Sequence, residues 1–362
     1  MNPLHSKSEV TDQSISRYRL TLEQTLLLKA TLLDGRAALT AWEEWRSRVD
    51  IEILDAASYA LLPQLYQNLL THQVKDPHMG RLKGVYRRSW YATRLQLNST
   101  QAALTALSKA GIEAIVLGDA ALHYYDCNRP IVSSYLLVGQ DQLGLTFETL
   151  TCNGWVAPVP APEAFSLQLQ DQQQNKLYVQ THLFWGTSQE EIDQAVWHHA
   201  IVPPSRQEDF RLPGFLPNPT DQLLDICIRT FFKTSILSIQ GIADAYLLIQ
   251  IAGDEIEWHC LVTQAQQYGL ILPLRNLLIV LQRLLQPPVP AWVVPALKRL
   301  PTTSQELLTY QLLAEDWLLR VRLTLLLNRQ PIERQWLRLR YAPFPGRSTL
   351  KRLLVSRKSI IQ

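Results

Sequence analysis

The stretch from residue 111 to residue 138 constrains the chain most. It reads Gly-Ile-Glu-Ala-Ile-Val-Leu-Gly-Asp-Ala-Ala-Leu-His-Tyr-Tyr-Asp-Cys-Asn-Arg-Pro-Ile-Val-Ser-Ser-Tyr-Leu-Leu-Val. Ile112 to Leu117 is an apolar run of strand length. Gly118-Asp119 predicts a turn, Ala120 to Tyr125 a short helix, and Tyr135 to Val138 a second apolar strand. A strand that turns through glycine into a helix presents backbone N–H groups in a way that suits a phosphate. Asp119, at the start of that helix, is expected to cap it.

Around this core the patterns are helical. Apolar residues recur at helical spacing from Arg19 to Asp34, and Trp42, Trp45 and Val49 mark another short helix. Ile51, Leu54, Tyr59, Leu62, Leu65, Tyr66 and Leu69 define a stronger apolar face, with Pro63 as a kink or break. Val85 to Lys109 predicts one long helix that Gly111 ends. Near its start Lys83, Arg87, Arg88 and Arg94 either face a phosphate or form a solvated helix face, and the second is the commoner role of such charges.

Beyond the core, Asp141 to Cys152 is helical in period, and Asp141 is expected to cap it. Phe165 to Gln170 and Lys176 to His182 alternate apolar with polar residues about a polar turn, which predicts a β-hairpin. Residues 186–218 are proline-rich and expected to be irregular. Asn218-Pro219-Thr220-Asp221 predicts a helix start. Helices are then expected over 220–236, 239–252, 255–268, 270–286, 290–299 and 304–328.

The expected division is a polar tail over 1–17, a helical segment over 18–109, the core over 110–186, a proline-rich linker over 187–218, a helical domain over 219–328 and a basic stretch over 329–362. The fold class expected is α/β of the α+β kind: a small mixed sheet flanked by an N-terminal helical segment and a C-terminal helical domain.

A net charge of +3 over 362 residues is too small to argue for nucleic acid. Cys127, Cys152, Cys227 and Cys260 are scattered, with neither zinc-ligand spacing nor the density of a disulfide framework. The first residues carry no apolar signal core, and the most apolar run, Gly269 to Leu285, is broken by Pro273, Arg275, Asn276, Gln282 and Arg283. No transmembrane segment and a cytoplasmic location are therefore expected. His182, His198, His199 and Cys152 show no metal-site spacing, and His198-His199 reads as a partly buried surface pair.

The core stretch resembles the uncharacterised nucleotidyltransferase family of the nucleotidyltransferase superfamily. Ala110-Gly111-Ile112, Ala120-Ala121-Leu122, Arg129-Pro130 and Leu136-Leu137-Val138 fall where that family's pattern has them. Leu54 to Leu69 is similar to the family's N-terminal helical part, Tyr178 to His182 to its apolar-Asp-Leu-His strand, and Ile239 to Leu248 to its later helix, with Asp244 in place. His182 matches the family's histidine. The resemblance covers roughly residues 50–285 and implies a mixed sheet of nucleotidyltransferase type.

Nucleotidyl transfer relies on two divalent metals, held by an Asp-x-Asp pair and a third carboxylate from a neighbouring strand. Residues i and i+2 of a strand point to one face, which is why that spacing serves. In this sequence the three positions that the resemblance assigns to carboxylates hold Ser133, Tyr135 and Gln180. Asp119 follows Gly118 where the family has a lysine before its glycine.

The resemblance therefore implies a degenerate, non-catalytic nucleotidyltransferase-like protein serving as a binding or regulatory module, with no cofactor and no metal. Gly118, Asp119, Ser133, Tyr135, Gln180 and His182 would be its former site positions. The alternative is an active nucleotidyltransferase using magnesium and a nucleoside triphosphate, with ligands displaced to Asp119, Asp126 or Asp141. A third reading is a peripheral scaffold or membrane-surface protein acting through Arg338, Arg340, Arg347, Lys351 and Arg352, which are interleaved with leucine and aromatic residues. The partners that follow are another protein, a nucleotide, or a polyanion or membrane surface at the C-terminus.

Overall fold

The computed structural model describes residues 20–125, 129–158, 166–183, 190–203, 213–230, 238–304, 306–307 and 310. The basic C-terminal residues, the 1–17 tail, Asp126, Cys127 and Phe165 lie outside the described residues, as does most of the helix expected over 304–328.

Helix α1 (Leu22–Leu32) starts at a capping box. Thr21 Oγ1 accepts from Gln24 N–H, and Gln24 Oε1 accepts from Thr21 N–H. Helices α2 (Gly35–Arg48), α3 (Ala56–Tyr59) and α4 (Leu62–Thr71) follow. Pro63 lies in the first turn of α4 and so starts a helix rather than kinking one. Trp42 and Trp45, both buried, stack at 5.6 Å and pin α2 to the N-terminal core.

The long helix α5 (Met79–Lys109) begins six residues before the expected Val85. Gly80 and Gly84 obscure the period there, yet Leu82 and Val85 are both buried and continue the inward face. Gly111, at φ +74°, ends the helix.

The sheet has the order β1-β2-β4-β3. Strand β1 (Ile115–Leu117) pairs antiparallel with β2 (Ser133–Leu137), β2 pairs parallel with β4 (Lys176–Gln180), and β4 pairs antiparallel with β3 (Ser166–Gln170). The fold is α+β. The hairpin expected from alternation is β3–β4, and its turn is organised by Asp171, which accepts from Gln173 N–H, Asn175 N–H and Ser99 Oγ–H.

One face of the sheet, with Val116, Leu136, Leu167, Leu169, Leu177 and Val179, belongs to the main core. The polar contact on that face is closed off by α5. Gln96 Nε2 donates to Ser134 Oγ at 3.1 Å, and Thr100 Oγ1 lies 2.6 Å from the same hydroxyl. The opposite face starts a second, smaller core: Ile115, Leu117 and Leu137 pack with Leu183, Ile192 and Val196.

That second core corrects the expectation for 186–218. Helix α8 (Glu190–His199), which follows α6 (Gly118–Tyr124) and α7 (Leu143–Cys152), lies inside the stretch read as irregular. Its apolar pair Ile192 and Val196, four apart, is enough once the sheet offers a surface to cover. Residues 214–216 then return to the sheet: Phe215 N–H donates to Ala114 O and Val116 N–H to Phe215 O. Among the described residues, Pro203 and Pro213 lie between these two pieces and Pro217 follows the second.

The C-terminal helices are α9 (Pro219–Ile228), α10 (Ile239–Ala252), α11 (Trp258–Gln267), α12 (Ile271–Leu284) and α13 (Val293–Arg299). Asn218 caps α9 as the sequence predicts, accepting from Asp221 N–H at 2.8 Å. No helix among the described residues is long and apolar enough to cross a membrane.

Candidate functional site

The turn expected at Gly118-Asp119 is where the sheet meets the C-terminal helices. Gly118 opens α6 directly from β1 with φ +74°. A Cβ there would overlap the guanidinium of Arg229 and come within 3.2 Å of the Tyr135 ring. Only glycine satisfies both the backbone angle and this close approach. Leu117, not Asp119, holds the cap position of α6, with no side-chain cap bond, because the strand runs straight into the helix. Asp119 instead sits in the first turn. Asp141 likewise makes no cap bond; it lies within a 3-10 turn (Gln140–Gln142) whose cap position is Gly139.

Two arginines and three aspartates gather beside this turn. Arg129 and Asp244 form a close ion pair with both side chains more than nine-tenths buried. Asp119 Oδ2 lies 3.8 Å from Arg129 Nη2. Arg229, just past the end of α9, pairs with Asp225 one turn back at 2.7 Å. Burial pushes the carboxyl of Asp244 up to about 6, and the nearby Asp119 adds to this, while Arg129 and Arg229 oppose it.

The sheet face above Gly118 carries the other positions singled out from sequence. Ser133 and Tyr135 alternate to this face of β2, and Gln180 stands on the same face of β4, because its cross-strand partner is Leu137. Tyr135 stacks on Tyr178 at 4.9 Å and 12° between planes. Burial and the neighbouring Tyr135 raise the Tyr178 hydroxyl above its ordinary range. Gln180 is buried, and its Nε2 donates to the backbone oxygens of His182 and Leu183. The structure thus brings Gly118, Tyr135 and Arg229 together.

His182 is tied to α8. Its Nδ1 lies 2.6 Å from Asp193 Oδ2, and Asp193 Oδ1 accepts from Leu183 N–H at 2.8 Å. Asp193 therefore anchors α8 across the end of β4. Replacing Asp193 with Ala leaves both donors short of an acceptor in a part-buried setting. The expected cost is about 2–3 kcal/mol, read by urea denaturation.

A model of the family described as uncharacterised nucleotidyltransferase matches residues 53–286. The chain belongs to the uncharacterised nucleotidyltransferase family. The match spans α3 through α12 and takes in the whole sheet, so the nucleotidyltransferase frame and the Gly118 turn lie within one family unit. A search of curated proteins finds no match.

Within this nucleotidyltransferase-like frame, the charge network is the part that sequence reasoning misses. Arg129 and Asp244 stand out as pattern matches but with no role attached. Asp225 and Arg229 have a local signal, their i, i+4 spacing on a helix. Their meeting with Gly118 has none. Among the described residues, no group of three histidine, cysteine, aspartate or glutamate side chains is placed to hold a metal ion.

Proposed function

We propose that this family member keeps the nucleotidyltransferase frame as a binding or regulatory module and has given up metal-dependent transfer. The observation that carries this reading is the occupancy of the sheet face over Gly118. The Arg229 guanidinium lies against the glycine, and the stacked rings of Tyr135 and Tyr178 lie beside it.

Magnesium takes hard oxygen ligands, and a polyphosphate-bound pair of ions needs carboxylate charge around it. The residues present do not fit that requirement. Ser133 and Tyr135 offer neutral hydroxyls, and Gln180 spends its amide N–H groups on backbone oxygens. The nearby carboxylates of Asp119, Asp225 and Asp244 face arginines. A guanidinium is a fixed cation, so Arg129 and Arg229 supply here the positive charge that carboxylates elsewhere recruit as metal. The ligands that suit such a module are a nucleotide bound without chemistry or a partner protein. The free thiols of Cys152, Cys227 and Cys260 suit a reducing, cytoplasmic setting.

One observation favours a second reading. Three aspartates converge on two arginines, so a metal-bound nucleotide that displaced the arginines would find carboxylates waiting. Calorimetric titration with ATP, GTP, CTP and UTP, each with and without magnesium, separates the two. The expected result is no magnesium-dependent binding and no pyrophosphate release. Tighter binding with magnesium that Asp119→Asn abolishes would overturn the module reading in favour of an active enzyme.

A further inference from the structure

Helix α8 ends on two histidines that stand differently. His198 is exposed, whereas the buried Nδ1 of His199 lies 3.5 Å from Asp221 Oδ2. Backbone pairing brings the two residues together. Ile201, two residues past α8, exchanges both backbone hydrogen bonds with Leu216, and Asn218 then caps α9. The end of α8 is thereby set against the first turn of α9, where Asp221 stands.

Asp221 is sparsely compensated. Its side chain is 2 % exposed. Oδ1 accepts from Gln264 Nε2 at 2.9 Å, and Oδ2 has no hydrogen bond. Among the described residues, His199 is the one side chain in ionic contact with it. Glu257, Cys260 and Tyr268 are the other titratable groups close enough to interact with its charge, and none of them can become a cation. Burial, with Asp221 adding to it, raises the Cys260 thiol and the Tyr268 hydroxyl, so both stay neutral near pH 7. His198 lies 5.6 Å from the His199 ring, and Asp193 of the same helix is engaged with His182 and Leu183.

A buried carboxylate without an opposite charge is costly. With the His199 ring protonated, the pair is compensated, and Nδ1–H donates to the oxygen that otherwise lacks a donor. With the ring neutral and the carboxyl ionised, a net negative charge stays buried. The His199 side chain is 37 % exposed, so solvent protons reach the ring while the carboxylate behind it stays dry. Imidazole ordinarily changes charge between about pH 5 and 8.

We propose that His199 and Asp221 form a proton-controlled latch that fastens the end of α8 to the start of α9. What the latch controls is the cover of the sheet. Helix α8 lays Ile192 and Val196 on Ile115, Leu117 and Leu137, and Tyr135 packs against the same cluster. Asp193 holds the helix independently, so opening the latch frees the last turn and not the whole of α8. That turn carries Val196, and loosening it relaxes the packing behind Tyr135. The latch goes beyond the function proposed for the face above Gly118 and does not depend on what that face binds.

The direction of the response follows from the charges. Burial pushes the Asp221 carboxyl above its ordinary 3.8, with Gln264 and His199 opposing and Glu257 adding. A carboxyl raised in this way lends stability that is fully present below 3.8 and is lost as pH rises through its folded value. An imidazolium that gains a carboxylate partner acts in the same direction. The latch is therefore closed on the acid side and opens as pH rises.

The test is backbone hydrogen exchange in the full chain, read at the last turn of α8 relative to α12 and corrected for the intrinsic pH dependence of exchange. The α12 reference removes changes in global stability, those from Asp244 included. Between about pH 6 and about pH 8.5, protection of α8 relative to α12 is expected to fall about tenfold or more. His199→Gln is expected to be about tenfold less protected than the native chain at the lower pH and to change little with pH. His199→Lys, a cation throughout this range, is expected to keep α8 protected at both pH values. Asp221→Asn is expected to give a flat profile; if it fails to fold, the variants at the half-exposed His199 decide the matter. A native ratio that does not change with pH overturns the proposal. So does an equal fall in His199→Gln, or a His199→Lys variant that behaves like His199→Gln.

Discussion

Replacing Arg129 with Met is expected to cost about 3–5 kcal/mol of folding stability near pH 7.5, because it leaves the buried Asp244 carboxylate without its close partner. Arg129 and Asp244 are 115 residues apart in sequence, and their pair joins the segment after α6 to the middle of α10. Methionine retains most of the buried stem volume, so the loss reports the charge rather than a cavity.

The cost should depend on pH. With its carboxyl raised from 3.8 to about 6, folded Asp244 holds a proton that the unfolded chain has already released. Its contribution is fully present below pH 3.8 and is lost as pH rises through about 6. Above that range the carboxylate is ionised and needs Arg129; below it, it does not. Chemical denaturation of the native chain and the Met variant at about pH 5 and about pH 7.5 should therefore show the gap narrowing at the lower pH. A gap that stays constant would mean that Asp244 is ionised throughout. Changing both residues, Arg129→Met with Asp244→Leu, is expected to recover much of the loss, since removing a whole buried pair is far milder than removing half of it.

Gly118→Ala is expected to cost about 3 kcal/mol or more. The left-handed backbone angle accounts for roughly 1–2 kcal/mol of that for any residue with a Cβ. The remainder comes from collision with Arg229, which must leave its place beside Asp225. Gly111 provides the control, because it has the same φ of +74° and nothing within 4 Å of its would-be Cβ. Gly111→Ala should therefore show the backbone term alone. Equal losses at the two positions would show that Arg229 moves aside freely. A double-mutant cycle between Gly118→Ala and Arg229→Ala gives the same coupling directly.

Much of the fold is legible in the sequence because it depends on local pattern. The Asn218 cap with Pro219, the alternation in β3 and β4, and the glycine that ends α5 all act within a few residues. Helix α8 is not legible. Ile192 and Val196 make a short apolar stripe that, alone in water, would not hold a helix of this length. It is stable because Asp193 grips His182 and Leu183, and because β1 and β2 leave an apolar face to cover. The early start of α5 is hidden for a related reason. Gly80 and Gly84 weaken the helix signal, and burial of Leu82 outweighs them.

At the candidate site, the donor types follow from the sequence. Serine, tyrosine and glutamine stand at Ser133, Tyr135 and Gln180, and the period of two along a strand puts Ser133 and Tyr135 on one face wherever that strand lies. That a glycine follows β1 is equally a matter of sequence. What that face meets is a matter of tertiary packing. Arg229 arrives from the end of α9 and Asp244 from α10, over distances in sequence that carry no periodic signal. Side-chain identity is written in the chain. The partner of a buried charge is selected by packing, because a desolvated charge persists only where the fold brings an opposite one to it.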